Sequence, residues 1–296
     1  MTGKIDRIRL DLARKIPVYP LPDNIQTFPA QGFDLNALWL IPENGAGKRL
    51  ILFIHGGGYI AGSIRTHREL AGRIAQAADT RCLLPEYRLA PEHPFPAAIE
   101  DCVSVYRWLI GQGIAPHHIV LVGDSAGGGL VASMLVYLRD NGTPLPSKAV
   151  LMAPWVDLTH DGTNGRERLS VMAKAYLNNK DPKLPLASPR YAKLHQLPPM
   201  MIQVSDGEPL YPQTVGFSKR VQAYGGSVAL DVWKGLPHLW QYFSSVFQPG
   251  RTAIERIGRF IRKTAPSPTL SDAKTSSFGG AILSGGSRYA GSDGMV

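Results

Sequence analysis

Six short apolar runs recur along the 296-residue chain, each followed by a glycine- or proline-marked turn and then a helical stretch. The runs are LILFI (50–54), RCLLPEY (81–87), IVLV (119–122), AVLMA (149–153), MMIQV (200–204) and VALDVW (228–233). Near-continuous apolar strands that alternate with helices are typical of a mostly parallel sheet covered on both faces. The sequence therefore predicts an α/β fold with a mostly parallel central sheet and helices on both sides.

Three segments fall outside this alternation. Residues 1–26 are predicted to be a short, partly helical arm ahead of a main domain over 27–265. Residues 157–196 are polar, basic and rich in helix breakers, which indicates an insertion over the edge of the sheet. Residues 266–296 are rich in Ser and Gly with little to bury, so we expect a flexible tail.

The start of one helix is predicted from a capping pattern. Thr66 is followed three residues later by Glu69, just before the apolar-periodic stretch ELAGRIAQAA (69–78). A Ser or Thr with an acidic residue at this spacing is the signature of a capping box. The sequence therefore predicts a helix that opens at Thr66.

Composition excludes several classes of protein. The chain carries 32 Lys and Arg against 23 Asp and Glu, a net charge of +9, but the basic residues form no long block and no nucleic-acid motif. The apolar runs are far shorter than the ~20 residues that span a bilayer. The first twenty residues are charged throughout and lack the apolar region of a secretory signal, so we expect a cytoplasmic protein with no stable membrane insertion. Cys82 and Cys102, the only cysteines, are predicted to be small buried hydrophobes.

The pentapeptide Gly123-Asp124-Ser125-Ala126-Gly127 lies between a predicted strand and a predicted helix. G-x-S-x-G in this context is typical of a nucleophile elbow, in which a strained turn exposes the serine hydroxyl. A phosphate loop would need Gly-Lys-Ser/Thr, and a dinucleotide site would need G-x-G-x-x-G; both are missing here. The sequence therefore predicts Ser125 as a nucleophile, and we expect the adjacent Asp124 to have a structural hydrogen-bonding role.

The sequence His55-Gly56-Gly57-Gly58-Tyr59 follows the strand LILFI. Acyl transfer needs preorganised N–H donors for an oxyanion, and residues without side chains allow the backbone to approach the substrate. We expect the amides of Gly57, Gly58 and Ala126 to form this oxyanion hole. His55 is interpreted as a residue that orients the loop rather than as a general base.

Taken together, these motifs make the chain resemble the hormone-sensitive-lipase-like branch of the α/β-hydrolases, which are mostly carboxylesterases. The resemblance covers roughly residues 50–260. It rests on HGGGY, YRLAPEHPFPAAIED (87–101), GDSAGG (123–128), APWVDLT (153–159) and a late PH. It implies an α/β-hydrolase fold with a small cap formed by residues 1–26 and 157–196, and it implies no metal and no cofactor.

A serine nucleophile needs a base and an acid that orients the base. The fold that the resemblance implies has the order Ser, acid, His, and His238 in GLPHLW lies where the family has its base. The acid should follow the strand MMIQV, where both Asp206 and Glu208 qualify. The family pattern of an acid, one residue and a leucine favours Glu208, with Asp206 as a turn residue.

The expected activity is that of a serine carboxylesterase acting on short- to medium-chain acyl esters through an acyl-enzyme. The same site would also serve an amidase, an acyltransferase, or a lyase or cyclase acting on a specialised metabolite. A small-molecule receptor is a further alternative, although receptors of this fold have lost a triad residue. The expected partner is a small-molecule ester and not a nucleic acid, and the sequence leaves the oligomeric state open, a homodimer included.

Overall fold

Eight strands form one central sheet in the computed structural model, which describes residues 2–16, 18–43, 45, 47–159 and 167–263. The strands are β1 (Ile25–Pro29), β2 (Ala37–Pro42), β3 (Leu50–Ile54), β4 (Arg81–Pro85), β5 (Ile119–Asp124), β6 (Lys148–Met152), β7 (Met200–Ser205) and β8 (Val228–Trp233). Their order across the sheet is β1-β2-β4-β3-β5-β6-β7-β8. From β4 to β8 all neighbouring strands are parallel, which confirms the predicted mostly parallel sheet.

The central strands are buried along their whole length. Every residue of β3, β5, β6 and β7 is buried, as expected for strands covered on both faces. All six apolar runs of the sequence correspond to strands of the parallel part. For these four strands the apolar run was a sufficient signal, because a strand covered on both sides has no solvent face that would interrupt it.

The first two strands were not predicted. β1 pairs antiparallel with β2, and β2 pairs antiparallel with β4, with Leu40 opposite Cys82. Four of the five residues of β1 are exposed, so the strand has no apolar run that the sequence could reveal. β1 also crosses the boundary predicted between the arm and the main domain at 26/27.

Seven helices surround the sheet in the described residues. They are α1 (Thr2–Lys15), α2 (Ile64–Ala78), α3 (Ala97–Gly111), α4 (Ala126–Asp140), α5 (Glu167–Leu177), α6 (Tyr211–Ala223) and α7 (Gln248–Arg262). α2 and α7 pack together, and their apolar residues, Leu70 and Ile257 among them, bury one face of the sheet. Residues of α3, α4 and α6 bury the other face, where Phe217 is fully enclosed.

Helix α2 begins earlier than the capping pattern predicts. Its N-cap is Ser63, whose side chain accepts from the amide of Thr66, while the Thr66 hydroxyl accepts from the amide of Ser63 at 3.0 Å. Thr66 is therefore the third helical residue and not the first, and the expected box from Thr66 to Glu69 is wrong. Glu69 instead pairs with Arg73 one turn later in the same helix.

Helix α1 and the segment around α5 pack against each other. Ile5 of α1 is 1% exposed, and Arg168 at the start of α5 forms an ion pair with Asp11 of α1. The assignment of these two segments to a cap remains a prediction. Residues 160–166 of the predicted insertion and the whole predicted tail, 266–296, lie outside the described residues.

Two compositional expectations concern burial and membranes. Cys82 and Cys102 are both free thiols and both buried, in agreement with the sequence analysis. Over the part of the chain that the structure describes, no helix combines the length and the apolarity needed to cross a bilayer.

Candidate active site

Ser125 lies at the tight turn between β5 and α4. Its backbone has φ 50° and ψ −117°, a conformation that few residues with a side chain adopt. The turn is held by the Ser125 amide, which donates to the carbonyl of Met152 at 2.8 Å. A Cβ on Gly127 would lie 2.0 Å from the carbonyl oxygen of Ile54, so only glycine allows α4 to approach β3 this closely. Strand, strained serine and helix have the geometry of a nucleophile elbow.

His238 approaches Ser125 from the loop after β8. Its Nε2 lies 3.1 Å from the Ser125 Oγ, within hydrogen-bonding distance. Ser125 and His238 are 113 residues apart in the sequence. They meet because the parallel strands β5 and β8 have their carboxyl ends on the same side of the sheet. A neutral imidazole in this position can accept the serine proton.

Of the two acids that follow β7, Glu208 is the one that contacts His238. Its Oε2 pairs with the Nδ1 of His238, and its Oε1 accepts from the amide of Ser205 at 2.9 Å. Asp206 is exposed and accepts from the amide of Gly235 at 2.8 Å. Asp206 therefore joins two turns, whereas Glu208 is positioned to fix the tautomer and orientation of the imidazole.

The glycine loop lies between β3 and α2. Gly57 and Gly58 have φ of 118° and 65°, and a Cβ on Gly57 would lie 2.2 Å from the carbonyl oxygen of Ala61. Within the described residues, the amides of Gly57, Gly58 and Ala126 donate no hydrogen bond to the protein. These three donors are thus available to a ligand, as an oxyanion hole requires.

His55 is buried behind this loop and lies parallel to Tyr87, with ring centroids 4.2 Å apart. Its carbonyl accepts from the Tyr87 hydroxyl at 2.7 Å, and its Nδ1 lies 2.8 Å from the carbonyl oxygen of Gly56. Burial, together with the nearby His67, lowers the pKa of His55 to about 3. A neutral imidazole without a contact to Ser125 agrees with the interpretation of His55 as a loop-orienting residue.

A buried polar cluster beneath the glycine loop was only partly foreseen. The Asp124 carboxylate accepts from the amide of Gly56 at 3.0 Å and from the Tyr242 hydroxyl at 3.1 Å, which agrees with its expected structural role. Burial alone would raise the pKa of Asp124, but His67 and the Tyr242 hydrogen bond keep it below its ordinary value. His67, whose Nε2 is 3.5 Å from Asp124, was noted in the sequence only as part of a capping pattern.

Residues of α5 bound the site on the side of the glycine loop. Tyr176 lies parallel to Tyr59 with ring centroids 4.0 Å apart, and the Tyr59 hydroxyl donates to the carbonyl of Trp155. Met172 is so close to Gly58 that a Cβ there would lie 2.3 Å from the Met172 Sδ. Met172 therefore leaves no room for a side chain at position 58.

No cluster of three or more His, Cys, Asp or Glu with the geometry of a metal site is present among the described residues. The arrangement that the structure does contain is a serine hydroxyl, an imidazole and a carboxylate in a chain of contacts, with three free amides beside the serine. A hydroxyl activated in this way can attack a carbonyl carbon, and the amides can stabilise the resulting oxyanion.

Comparisons with known proteins agree with this geometry. A family model described as the alpha/beta hydrolase fold matches residues 51–242. An acetyl-hydrolase of Streptomyces hygroscopicus is 40% identical over 237 residues, which make up 76% of this chain and 79% of that protein. An esterase of Acinetobacter venetianus is 32% identical over 232 residues, 74% of this chain and 77% of that protein.

Comparisons with solved structures also agree with this geometry. The crystal structure of EstE5 soaked with p-nitrophenyl butyrate has a TM-score of 0.82 and 39% identity, and the match covers 87% of this chain and 90% of that chain. An esterase from the bacterial hormone-sensitive lipase family has a TM-score of 0.80 and 39% identity, over 88% of this chain and 97% of that chain.

Proposed function

The chain belongs to the alpha/beta hydrolase fold family, in its hormone-sensitive-lipase-like branch, and on this premise we propose that it is a serine carboxylesterase with Ser125, His238 and Glu208 as its triad. The observation that carries the proposal is the chain of contacts from the Ser125 hydroxyl through His238 to Glu208. This chain of contacts lies at the carboxyl ends of the parallel strands. Beside it, the amides of Gly57, Gly58 and Ala126 have no protein acceptor among the described residues.

Acylation begins with the Ser125 Oγ, which attacks the ester carbonyl carbon while its proton passes to the Nε2 of His238. The new C–O bond gives a tetrahedral intermediate whose negative oxygen accepts hydrogen bonds from the amides of Gly57, Gly58 and Ala126. The imidazolium then gives its proton to the ester oxygen, the bond to the alcohol breaks, and the alcohol leaves. An acyl-enzyme on Ser125 remains.

Deacylation repeats these steps with water. His238 takes a proton from the water molecule as its oxygen bonds to the acyl carbon, and it returns this proton to the Ser125 oxygen as the acyl bond breaks. The carboxylic acid leaves and the serine is restored. Throughout, the ionised Glu208 stabilises the imidazolium and keeps the Nδ1–H directed toward itself.

Short- to medium-chain acyl esters are the proposed substrates. The crowding of Gly58 by Met172 and the stacked Tyr59 and Tyr176 support a site with limited room beside the oxyanion donors. The similarity to a protein named acetyl-hydrolase supports the same size range.

The test uses the full chain with p-nitrophenyl acetate and a fluorophosphonate probe. Wild type should hydrolyse the ester and take up one probe, whereas Ser125→Ala should lose at least about 10³-fold in kcat and remain unlabelled. Ser133→Ala is the matched control, because Ser133 is another buried serine of α4 and should leave both properties intact.

Two other results would redirect the proposal. Labelling at Ser125 without turnover of acetyl, butyryl or octanoyl esters would indicate a transferase, lyase or cyclase that uses the same nucleophile. The absence of both labelling and turnover would indicate a small-molecule receptor.

We also propose a cytoplasmic location and a homodimer. The two unpaired cysteines are compatible with a reducing compartment. Strand β8 forms one edge of the sheet, and Val232 on it is exposed, which is a surface suited to a second copy. Cell fractionation and light scattering on the purified protein test these two proposals separately.

A further inference from the structure

His67 is a completely buried histidine that takes no part in the proton transfers described above. Its Nε2 lies 3.2 Å from the amide nitrogen of Gly56 and 3.5 Å from the Oδ2 of Asp124. A buried polar side chain is costly unless it is paired. The ring is therefore held in place by what it contacts, and these contacts lie directly beneath the glycine loop.

Asp124 joins the two halves of the proposed catalytic machinery. It precedes Ser125 in the elbow, and its Oδ1 accepts from the amide of Gly56, which precedes the two oxyanion glycines. The same carboxylate therefore fixes the position of the serine turn relative to the glycine loop. Any displacement of this carboxylate would move the nucleophile and the oxyanion donors relative to each other.

A carboxylate with no solvent exposure needs a compensating charge. Among the described residues that contact Asp124, His67 is the one that can carry a positive charge; Gly56 contributes an amide and Tyr242 a hydroxyl. Of the groups that lower the pKa of Asp124 against the effect of burial, His67 has the largest influence. Loss of the imidazole would leave a buried anion with two neutral donors.

The start of helix α2 fixes the other side of the imidazole. The Thr66 hydroxyl donates to the carbonyl of Ser63 at 3.0 Å and accepts from the amide of Ser63 with one lone pair, so its other lone pair can accept from the Nδ1 of His67 at 2.8 Å. With Nδ1 held as a donor to the helix cap, Nε2 accepts from the amide of Gly56 and lies beside the Asp124 carboxylate. The cap thus determines the direction of the ring as well as the start of the helix.

We propose that His67 is a positioning residue of the oxyanion hole, which it orients through Asp124 and the amide of Gly56. The proposal rests on the esterase function proposed above. His67 does not touch the substrate. It links the start of α2 to the segment that presents the amides of Gly57 and Gly58.

This role predicts a specific kinetic signature. A displaced amide weakens the bond to the oxyanion, which exists only in the tetrahedral state, while contacts to the ground-state ester are hardly changed. The loss should therefore appear in kcat and not in KM. It should also appear, by the same factor, in the affinity for a trifluoromethyl ketone, because the adduct of this inhibitor with Ser125 carries an oxyanion.

Two substitutions and one control test the proposal in the full chain. His67→Phe keeps an aromatic ring but removes both nitrogens, and His67→Gln keeps a polar group with both a donor and an acceptor. Ile74→Val is the matched control, because Ile74 is a fully buried residue of the same helix that belongs to the apolar cluster around Leu70. For each protein, kcat, KM, the inhibition constant of the ketone and the thermal midpoint are measured.

We expect kcat to fall about 100-fold for His67→Phe and about 10-fold for His67→Gln, with KM within about three-fold of wild type. The inhibition constant should rise by the factor by which kcat/KM falls, and Ile74→Val should keep full activity. If His67→Phe does not fold, His67→Gln decides the question alone.

If the wild-type chain is an active esterase, two results would overturn the role of His67 and leave the proposed function standing. One is a His67→Gln enzyme with wild-type kcat, and the other is a loss that Ile74→Val reproduces at the same thermal midpoint. A wild-type chain that neither hydrolyses esters nor takes up the fluorophosphonate overturns the proposed function, and this inference with it.

Discussion

The Arg9 side chain of α1 donates from its Nε to the carbonyl of Ile60 at 2.7 Å, which ties the N-terminal helix to the loop that follows Gly57 and Gly58. The same guanidinium donates to the carbonyl of Ala90 at 2.9 Å and forms an ion pair with Glu92. One side chain thus connects three segments that are far apart in sequence. Since Ile60 directly follows Tyr59, the position of α1 is coupled to that of the glycine loop.

Arg9→Met should therefore loosen α1 and reduce activity. The alkyl part of the side chain is kept, but hydrogen bonds to two carbonyls and one carboxylate are lost. We expect kcat/KM for p-nitrophenyl acetate to fall about three- to ten-fold and amide exchange in α1 to accelerate. Arg7→Met, an exposed position in the same helix, is the control and should change neither quantity. Unchanged exchange in α1 of the Arg9 variant would contradict the anchoring role.

The choice between the two acids after β7 can be tested by a matched pair of amides. Glu208→Gln removes the charge that pairs with His238 Nδ1 and leaves an amide that can favour the wrong tautomer, so kcat should fall about 10²- to 10⁴-fold. Asp206→Asn changes only a turn contact with Gly235 and should stay within about three-fold of wild type. Steady-state kinetics of both variants decide the assignment, and a larger loss for Asp206→Asn would reverse it.

Gly57 and Gly58, the two glycines proposed for the oxyanion hole, can be distinguished by combining an alanine at each position with Met172→Ala. In Gly57→Ala the new methyl group meets the backbone carbonyl of Ala61, which cannot move away cheaply, whereas in Gly58→Ala it meets the flexible end of Met172. Both variants should lose at least about 10²-fold in kcat. Met172→Ala should restore part of the activity of Gly58→Ala and none of that of Gly57→Ala. Equal rescue in this double-mutant cycle, or none in either, would be inconsistent with the contact.

The buried His55 should make the protein sensitive to acid. Its pKa is lowered to about 3 by burial and by His67, while in the unfolded chain it is near ~6.5. Between these two values the unfolded state binds a proton that the folded state does not, so stability falls as the pH falls through this window, by up to about 1.4 kcal/mol per pH unit. Urea unfolding from pH 7 to pH 4 measures this slope.

The contribution of His55 is isolated with His55→Phe, which keeps a ring beside Tyr87 but cannot take up a proton. Its unfolding free energy should depend less on pH than that of wild type below pH 6.5. Identical slopes for the two proteins would mean that His55 is not the group that remains neutral in the fold.

The parallel strands and the glycine turns were predicted from the sequence because each depends on residues that are close together in the chain. The six apolar runs predicted the parallel strands, and the glycines around Ser125 and after His55 predicted tight turns at the ends of β5 and β3. Strand β1 was missed because it lies at the edge of the sheet and four of its five residues are exposed. Strand β2, whose residues are all buried or half-buried, was missed although its sequence ALWLIP is apolar. The start of α2 was placed three residues late because Ser63 and Thr66 can both begin a capping pattern, and only the folded backbone distinguishes them.

The sequence by itself determined that Ser125 sits in a strained turn and that the chain after β3 can bring bare amides to a ligand, since both depend on glycine at fixed spacing. The family resemblance favoured Glu208 over Asp206 as the acid, but position in the sequence left both open, and it is the tertiary structure that brings Glu208 to His238. Asp206 and Glu208 are two residues apart in one turn, and only the path of the chain after β7 turns Glu208 toward the imidazole and Asp206 toward Gly235. The tertiary structure also decided that Asp124 and His67 meet beneath the glycine loop, because they approach each other only when folding brings the start of α2 to the end of β5.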